Sequence, residues 1–300
     1  MQDKISVQIQ AVIYHNDKSS LLKSVEHLAN AVRQERKLTG RLDRVIMKYG
    51  DASDSPVLSE EDVAQMQRLC ADWIAFEYVP FGFNSGFGRG QNLLSEDCAC
   101  DLMLVMNPDV IVTPRFFVEM LDPFENERVG LVEARQTPIE HHKEYNKETF
   151  ETEWAAMACV MVRTNIWKEL DGIDSDTFFM YCEDVDFSWR LRLLGYTIFY
   201  QAKAPVYHAK RIGADGSWQP TRAERYYSAE SALLMAHKWS NRKREKQILK
   251  AFLNGDEMYR KIAQSFIQRK EEGRLPKPLD PHHKVARFMN GDYGPSRFML

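Results

Sequence analysis

The chain has 300 residues, of which 44% are hydrophobic, and a formal net charge of −3 at pH 7. A chain of this length can bury a substantial core, and its charge gives no reason to expect nucleic acid as a partner. Its five cysteines are odd in number and scattered, which favours a reducing compartment over a disulfide framework. No secretion signal begins the chain, and no apolar run approaches the roughly 20 residues that cross a bilayer. We therefore expect a cytoplasmic protein, with peripheral membrane contact left open.

Strands and helices alternate along the first hundred residues. Apolar runs predict strands at Ile5–Tyr14, Arg44–Tyr49, Trp73–Val79 and Leu102–Met106, and apolar positions at helical spacing predict helices at Leu21–Arg36, Glu60–Cys70 and Gln91–Glu96. This alternation predicts an α/β fold with a mostly parallel, mixed sheet flanked by helices. Ligands of such sheets lie outside the carboxyl ends of the strands, so polar residues that follow strands are the first candidates for a site.

The alternation loosens in the second half of the chain. Further strands are expected at Val129–Glu133 and Ala158–Val162, and a last strand pair at Thr197–Tyr207. From Ala223 onward the pattern is helical. We therefore predict an α/β domain over residues 1–222 and a helical C-terminal extension over residues 223–300.

Asn107-Pro108-Asp109 directly follows the apolar strand at Leu102–Met106. A carboxylate fixed at a strand end can hold a divalent cation that bridges two phosphates, because Mg²⁺ and Mn²⁺ favour oxygen ligands. The alternative is an ordinary Asn-Pro-Asp turn.

A glycine-rich segment, Gly82–Asn92, precedes a predicted helix. Backbone N–H groups at such a place can approach a phosphate. The segment has neither the GxGxxG pattern nor the GK[ST] of a P-loop. Because so many glycines cost conformational entropy unless the backbone needs them, we favour a functional role for the segment.

Three carboxylates, those of Glu183, Asp184 and Asp186, lie between an aromatic run and a basic segment. One interpretation is general-base catalysis, in which a carboxylate accepts a proton from an attacking hydroxyl. The other is structural: Glu183 and Asp184 begin a helix, whose amino-terminal end favours negative charge, and Asp186 pairs with Arg190 one turn later. The segment alone leaves both interpretations open.

His208 follows the apolar run that ends in Val206 and Tyr207. By itself, a histidine at such a place indicates a hydrogen-bonded wall residue. No G-x-S-x-G elbow accompanies it, which excludes a Ser/His/Asp hydrolase.

Taken in order, these segments resemble the inverting family 2 glycosyltransferases of the GT-A fold, in particular the rhamnosyltransferase-like branch that builds bacterial surface polysaccharides. The resemblance spans about Val7–Trp239 and rests on Asn84–Asn92, Asn107–Asp109 and Phe178–Gly195 followed by Tyr207-His208. It implies a nucleotide-diphospho-sugar donor, a glycan or lipid-linked glycan acceptor, and a divalent cation, Mn²⁺ or Mg²⁺.

The resemblance also implies roles for single residues. It makes Asp109 a metal ligand, His208 the residue that completes the metal shell, and Asp184, with Glu183 beside it, the catalytic base. The nucleotide-sugar contacts that we predict are Tyr14, Asn16, Asp51, Asn84, Gly86, Gly88, Arg89, Asn92 and Asn107. The acceptor contacts that we predict, on weaker grounds, are Trp154 and Asp186, with a buried core position as the alternative for Trp154. The tip of the second strand departs from the family pattern, since Gly50 stands where an acidic residue is usual.

The resulting expectation is an inverting, metal-dependent glycosyltransferase of bacterial surface polysaccharide synthesis, with rhamnose as one candidate sugar. A non-catalytic glycan- or nucleotide-sugar-binding protein of the same fold is the alternative. A dinucleotide-dependent oxidoreductase is disfavoured because GxGxxG is missing.

The tail Asn241–Leu300 is basic, with 14 Lys and Arg against 7 Asp and Glu. Apolar residues recur at broadly helical intervals among these charges. Such a helix suits either an anionic membrane surface or a cap packed on the preceding domain.

Overall fold

The structure is a computed structural model that describes residues 4–140, 144–208 and 219–288. Its strands are β1 (Ile5–Ile13), β2 (Leu42–Asp51), β3 (Ala75–Pro80), β4 (Leu102–Met106), β5 (Val110–Val112), β6 (Val129–Thr137), β7 (Glu151–Thr152), β8 (Cys159–Arg163) and β9 (Thr197–His208). Its helices are α1 (Lys18–Leu38), α2 (Glu60–Cys70), α3 (Gly86–Ser95), α4 (Phe116–Leu121), α5 (Thr164–Glu169), α6 (Glu183–Leu193), α7 (Arg222–Lys238), α8 (Arg242–Leu253) and α9 (Glu257–Glu271).

Within the described residues, the strands form one mixed sheet in the order β3-β2-β1-β4-β8-β6-β9-β5, and β7 pairs with β9 beside this path. Strands β1 to β4, β6 and β9 run in one direction, whereas β8 runs antiparallel between β4 and β6. The predicted mostly parallel, mixed sheet is therefore confirmed. The carboxyl ends of the six parallel strands lie at one edge, where the sequence places Asp51, Asn107 and His208.

Helices α1 and α2 begin where side chains satisfy the first N–H groups. Asp17 accepts from the N–H of Ser20 at the start of α1, and Ser59 and Asp62 form a reciprocal capping box at α2. The apolar face of α1 is buried against the sheet, together with the sides of β1 and β4 that face it. This packing is the main source of stability for the first half of the chain.

Two predicted elements differ from the structure. The expected strand pair at Thr197–Tyr207 is one strand, β9, whose pairing with β6 jumps from Ala134–Gln201 to Arg135–Pro205. The residues between Gln201 and Pro205 bulge out and let one strand continue past a proline. Helix α3 begins at Gly86, five residues earlier than predicted, for a packing reason given below.

The C-terminal helices pack on α6 through a core of their own. Apolar residues of α7, α8 and α9 join Val185 and Trp189 of α6 in one buried cluster. The tail residues 289–300 lie outside the described part of the chain. Among the described residues, no helix is both long enough and apolar enough to pass through a bilayer. All five cysteines are buried, and none is in a disulfide.

Candidate functional site

Asn107, Asp109 and His208 meet at the carboxyl edge of the sheet. Residues 107–109 leave β4, and β5 then pairs antiparallel with β9 so that Val110 lies opposite His208. Nε2 of His208 is 3.2 Å from Nδ2 of Asn107 and 3.7 Å from Oδ1 of Asp109. The structure therefore brings together three residues that the resemblance connects with a metal and a diphosphate.

Gln136, at the end of β6, orients the imidazole of His208. Its Oε1 lies 3.1 Å from Nδ1 of His208 and accepts a hydrogen bond from it. With the proton on Nδ1, Nε2 accepts from Nδ2 of Asn107 at 3.2 Å and faces Oδ1 of Asp109. No local pattern marks Gln136, because only the pairing of β6 with β9, with Gln136 opposite Val206, brings it beside His208.

The donor set at this edge fits a divalent cation in part. A carboxylate oxygen of Asp109 and a ring nitrogen of His208 face the same space, and Mg²⁺ and Mn²⁺ prefer such carboxylate oxygens. The amide group of Asn107 presents its nitrogen to His208. Across the described ranges, however, no group of three or more His, Cys, Asp or Glu side chains could hold a metal ion. A cation here would take only a few protein ligands and would draw the others from phosphate oxygens and water.

Tyr14 and Asn16 lie at the end of β1, beside the loop that follows β2. The ring of Tyr14 is exposed, and its backbone N–H donates to Oδ1 of Asn16 at 2.8 Å. His15 has a positive φ of 51° and donates its N–H to Oγ of Ser53 at 2.9 Å. These bonds fix the backbone so that the ring of Tyr14 points away from the core, where a nucleotide base can reach it.

Asp51 is buried at the tip of β2 and its carboxylate is fully engaged. It accepts from the N–H of Ser53 at 2.9 Å, from the N–H of Val57 at 2.7 Å and from the hydroxyl of Tyr78. Burial alone would raise the pKa of Asp51, but the bonds from Tyr78 and the backbone outweigh it and lower that pKa. The carboxylate therefore holds the loop after β2 together, and a direct contact with a nucleotide is not needed to explain it.

The glycines of α3 are explained by close packing. A Cβ atom at Gly90 would lie 2.6 Å from Cγ2 of Val12 in β1, and one at Gly88 would lie 2.6 Å from Cγ2 of Ile173. Gly86 has a φ of +66°, and a Cβ there would be 2.9 Å from the carbonyl O of Phe179. These contacts account for the glycines by packing, and the phosphate contacts of the segment stay a prediction. The segment is a helix pressed against β1 and against the residues before α6.

The other polar residues of this segment differ in how far they are engaged. The side-chain amide of Asn92 makes two hydrogen bonds to the backbone of Ile173. It donates to the carbonyl O at 2.7 Å and accepts from the N–H at 2.9 Å. Asn84 accepts from the N–H of Gly86 at 3.0 Å at the start of α3. Arg89 is exposed and lies over the ring of Phe83, 4.9 Å from its centroid. Of these three, Arg89 is the one whose charged group faces solvent and can reach a phosphate.

Helix α6 begins at Glu183, as the structural interpretation of the acidic cluster predicts. Tyr181 and Cys182, just before it, both have left-handed backbones, with φ of 70° and 65°. Non-glycine residues in this region are strained, and strain of this kind clusters at functional sites. Asp184 is nearly buried and its Oδ1 accepts from the N–H of Val185 at 2.8 Å.

Asp186 and Trp154 are core residues in this structure. Asp186 is fully buried and pairs with Nε of Arg190 at 2.8 Å, which confirms the predicted pairing one turn apart. Trp154 is 4% exposed and packs in the cluster shared by α6 and the C-terminal helices. The ion pair of Asp186 with Arg190 and the packing of Trp154 in this cluster favour a structural role over direct contact with an acceptor.

Residues 154–158 connect the strand-end residues to α6. At one end, the carbonyl O of Ala158 accepts from the N–H of Asn107 at 2.9 Å. At the other end, the N–H of Ala155 donates to Oγ of Ser188, which in turn donates to the carbonyl O of Asp184 at 2.7 Å. The backbones of Asn107 and Asp184 are thus linked by hydrogen bonds and one short segment.

A cavity of about 650 Å³ lies at the opposite edge of the sheet. It is lined by residues at the amino ends of β1 and β4, with Arg41, Cys98, Cys100 and Lys168 among them. It contains none of the predicted site residues, so we do not assign the chemistry to it.

Comparison with known proteins supports the fold that the motifs imply. No protein-family model matches the chain. A curated relative, "Rhamnosyltransferase WbbL" of Escherichia coli (strain K12), is 24% identical over 193 residues, which cover 51% of this chain and 70% of the relative.

Two solved structures match most of the chain. GalNAc-T7, solved with UDP, GalNAc and Mn²⁺, matches with a TM-score of 0.60 at 10% identity, covering 91% of this chain; the chain spans 56% of the length of that protein. The mannosyltransferase PcManGT of Pyrobaculum calidifontis, in complex with GDP-Man and Mn²⁺, matches with a TM-score of 0.54 at 11% identity, covering 92% of this chain and 74% of that one. The protein therefore has the GT-A glycosyltransferase fold and resembles a rhamnosyltransferase.

Proposed function

We propose that this protein is an inverting glycosyltransferase that moves a sugar from a nucleotide-diphosphate donor to a hydroxyl group of a glycan or lipid-linked glycan. Rhamnose is one candidate sugar, because the curated relative is named a rhamnosyltransferase. Both structural neighbours were solved with Mn²⁺ and a nucleotide. The relatives thus support a nucleotide-sugar donor and a divalent cation for this chain.

One observation carries the proposal: hydrogen bonds of residues 154–158 connect Asn107, next to Asp109 and His208, to the first turn of α6 in a GT-A fold. The hydrogen-bonded segment 154–158 holds them together. Asp109 and His208 suit a diphosphate with its cation. The first turn of α6 places the carboxylate of Asp184 beside a strained turn. A sugar transferase needs both functions next to each other.

In this proposal Asp184 accepts the proton of the acceptor hydroxyl as its oxygen attacks the anomeric carbon. The attack comes from the face opposite the leaving diphosphate, so the configuration at that carbon inverts. The hydrogen bond from the N–H of Val185 holds Oδ1 of Asp184 at the start of α6. Glu183 lies beside it at the amino-terminal end of α6, where the helix dipole favours negative charge.

Asp109, His208 and Asn107 would hold the diphosphate end of the donor. A divalent cation bound there would supply Lewis-acid stabilisation of the charge on the leaving diphosphate. Gln136 keeps the imidazole of His208 in the tautomer with Nε2 facing the site. Arg89 would contact the phosphates from α3, and Tyr14 and Asn16 would contact the base and ribose.

A screen of nucleotide diphosphates tests the proposal directly. We expect one nucleoside diphosphate to raise the melting temperature in the presence of Mn²⁺ and much less in its absence, because ligand binding stabilises the native state. The matching nucleotide sugars should then be hydrolysed slowly without acceptor. Binding without hydrolysis or transfer would indicate the non-catalytic alternative, and binding of no nucleotide would contradict both.

The location and the domain boundary belong to the same proposal. We propose a cytoplasmic protein that works at the inner face of the membrane when its acceptor is lipid-linked. We also propose that residues 1–222 form the catalytic domain and residues 223–300 a helical extension. The buried cluster shared by α6 and α7 to α9 supports a tightly attached extension.

A further inference from the structure

Helix α7 is attached to both sides of the turn that precedes α6. Oγ of Ser231 donates to the carbonyl O of Met180 at 2.8 Å, just before the strained turn. Beyond the turn, Asp186 accepts at its Oδ1 from Nζ of Lys238 at 2.6 Å and from Nε1 of Trp239 at 3.0 Å. A helix outside the sheet thus holds the segment that contains Glu183 and Asp184.

Lys238 bridges two carboxylates that belong to different parts of the chain. Its Nζ lies 2.6 Å from Oδ2 of Asp174 as well as 2.6 Å from Oδ1 of Asp186. The side chain of Lys238 is 5% exposed and that of Asp186 is 0% exposed, so these charges depend on one another. Burial alone would raise the pKa of Asp174, but the ammonium group of Lys238 outweighs it and lowers that pKa.

Arg190 completes the cluster and balances its charge. Its Nε pairs with Oδ2 of Asp186, and its two terminal nitrogens donate to the carbonyl O atoms of Leu170 and Gly172 at 2.7 and 2.8 Å. Two cations and two carboxylates give a net charge of zero. The cluster joins α6, α7 and the 170–174 loop.

The strained turn explains why this attachment matters. Left-handed residues such as Tyr181 and Cys182 persist only where the surroundings hold them. The bonds from Ser231 to Met180 and from Lys238 to Asp186 do so from one rigid helix.

We propose that Lys238 is a positioning residue for the transfer reaction: it fixes the first turn of α6, and with it the direction of the Asp184 carboxylate, from the C-terminal helix α7. The inference rests on the proposed function, because it assumes that Asp184 acts on the acceptor. Lys238 itself touches neither donor nor acceptor. Its loss should therefore lower kcat and leave the KM for the donor nearly unchanged.

The variant Lys238→Met tests the proposal in the full-length protein. We expect kcat for transfer to fall at least tenfold, with the KM for the donor within about twofold of the wild-type value. Loss of the ammonium leaves one net negative charge among Asp174, Asp186 and Arg190, close to Glu183 and Asp184. The acid limb of the kcat profile should therefore move to higher pH, by roughly 0.5 to 1 unit.

Two further variants keep the test valid if Lys238→Met does not fold. Lys238→Arg keeps the charge and should retain most of the activity. The double variant Lys238→Met with Asp174→Asn restores net neutrality, because Asp186 still pairs with Arg190. We expect it to recover the melting temperature but not the transfer rate, since the contact from Lys238 of α7 to Asp186 remains absent.

The matched control is Lys261→Met, which removes an exposed lysine of α9 that pairs with Glu257 at 2.8 Å. It should change neither kcat nor the pH profile. A wild-type kcat and acid limb in Lys238→Met, or full recovery of kcat in the double variant, would overturn the positioning role. If the wild-type protein transfers no sugar from any nucleotide donor, the proposed function fails instead.

Discussion

Oδ1 of Asp109 lies 3.7 Å from Nε2 of His208, and the pairing of β5 with β9 holds the two side chains face to face. Because Nδ1 of His208 donates to Gln136, Nε2 is the ring nitrogen that faces Asp109 and the amide nitrogen of Asn107. In the proposed function, this carboxylate oxygen and this ring nitrogen would be the protein ligands of the divalent cation.

Asp109→Asn should abolish the Mn²⁺ dependence of nucleotide binding while the fold stays intact. The amide keeps the shape of the side chain but loses the negative charge that attracts a cation. Thermal shifts with nucleoside diphosphate, with and without Mn²⁺, measure the effect. Asp43→Asn, an exposed residue near the amino end of β2, is the control. An unchanged Mn²⁺ dependence in Asp109→Asn would show that the assignment is wrong.

Asp184→Asn should lower the transfer rate by roughly 10²- to 10⁴-fold, as expected for loss of a general base, with nearly unchanged affinity for the donor. The amide oxygen can still accept from the N–H of Val185, so the turn should survive. Initial rates with donor and acceptor, together with donor binding, measure the two effects. Asp176→Asn, an exposed residue of the preceding loop, is the control. Retention of most of the transfer rate would rule out Asp184 as the base.

Gly90→Ala should destabilise the protein by about 1–3 kcal/mol, because its Cβ would lie 2.6 Å from Cγ2 of Val12. Chemical denaturation measures the change in the free energy of unfolding. Arg89→Ala, at the exposed neighbouring position of α3, should stay within about 0.5 kcal/mol of the wild type. A stability for Gly90→Ala equal to that of the wild type would mean that α3 can move away from β1.

Tyr78→Phe should lower the free energy of unfolding at pH 7 by about 1–3 kcal/mol, because a bond to the ionised carboxylate of Asp51 is lost. The pKa of Asp51 is lowered in the folded state, so its contribution is present above the unfolded value of about 3.9 and is lost as pH falls through the folded value. The difference between Tyr78→Phe and the wild type should thus shrink below about pH 4. Denaturation at pH 7 and pH 3 measures it, with Tyr145→Phe as an exposed control. A difference that is the same at both pH values would contradict this account.

The basic C-terminal helices should bind anionic vesicles through charge alone. Ile248, Ile262 and Phe266 are buried in the cluster with α6, so the apolar face of α8 and α9 is not available for insertion. We expect the protein to co-sediment with anionic but not neutral vesicles at low salt, and to be released by about 0.5 M salt.

Substitution tests this binding better than truncation at Asn241, which would remove buried residues of the core. The variant Lys243→Ala, Lys246→Ala, Lys250→Ala removes three exposed charges of α8 and should lose most of the bound fraction. Lys23→Ala, Lys37→Ala, Lys147→Ala removes three exposed charges elsewhere and should lose little. Equal recovery of both variants in the vesicle pellet would rule out α8 as the contact.

The sequence predicted the fold well where periodicity is strong. The early strands and helices follow the pattern closely, and α6 begins at the expected acidic pair. The sequence did not predict the first turn of α3, because glycine disfavours a helix by propensity. Only the neighbours Val12, Ile173 and Phe179 show why glycine is required there.

For the same reason, the sequence alone could not predict the roles of residues whose partners lie far away along the chain. Asn92 is of a residue type that commonly binds ligands, but its side-chain amide is hydrogen-bonded to the backbone of Ile173. Gln136 and Lys238 have no local signal, because sheet pairing brings one to His208 and helix packing brings the other to Asp186. Spacing along the chain identifies candidate groups, whereas their partners follow only from tertiary contacts.

Because every cysteine thiol is buried, the rate at which a thiol is alkylated reports how often the structure around it opens. Burial raises the pKa of Cys70 to about 12, so that thiol is protonated and unreactive in the native state. Cys182 is fully buried directly before Glu183, and an alkylating reagent can reach it only when the structure around this turn opens. The alkylation rate of Cys182, compared by mass spectrometry with that of Cys70, therefore measures how often the start of α6 opens independently of global unfolding.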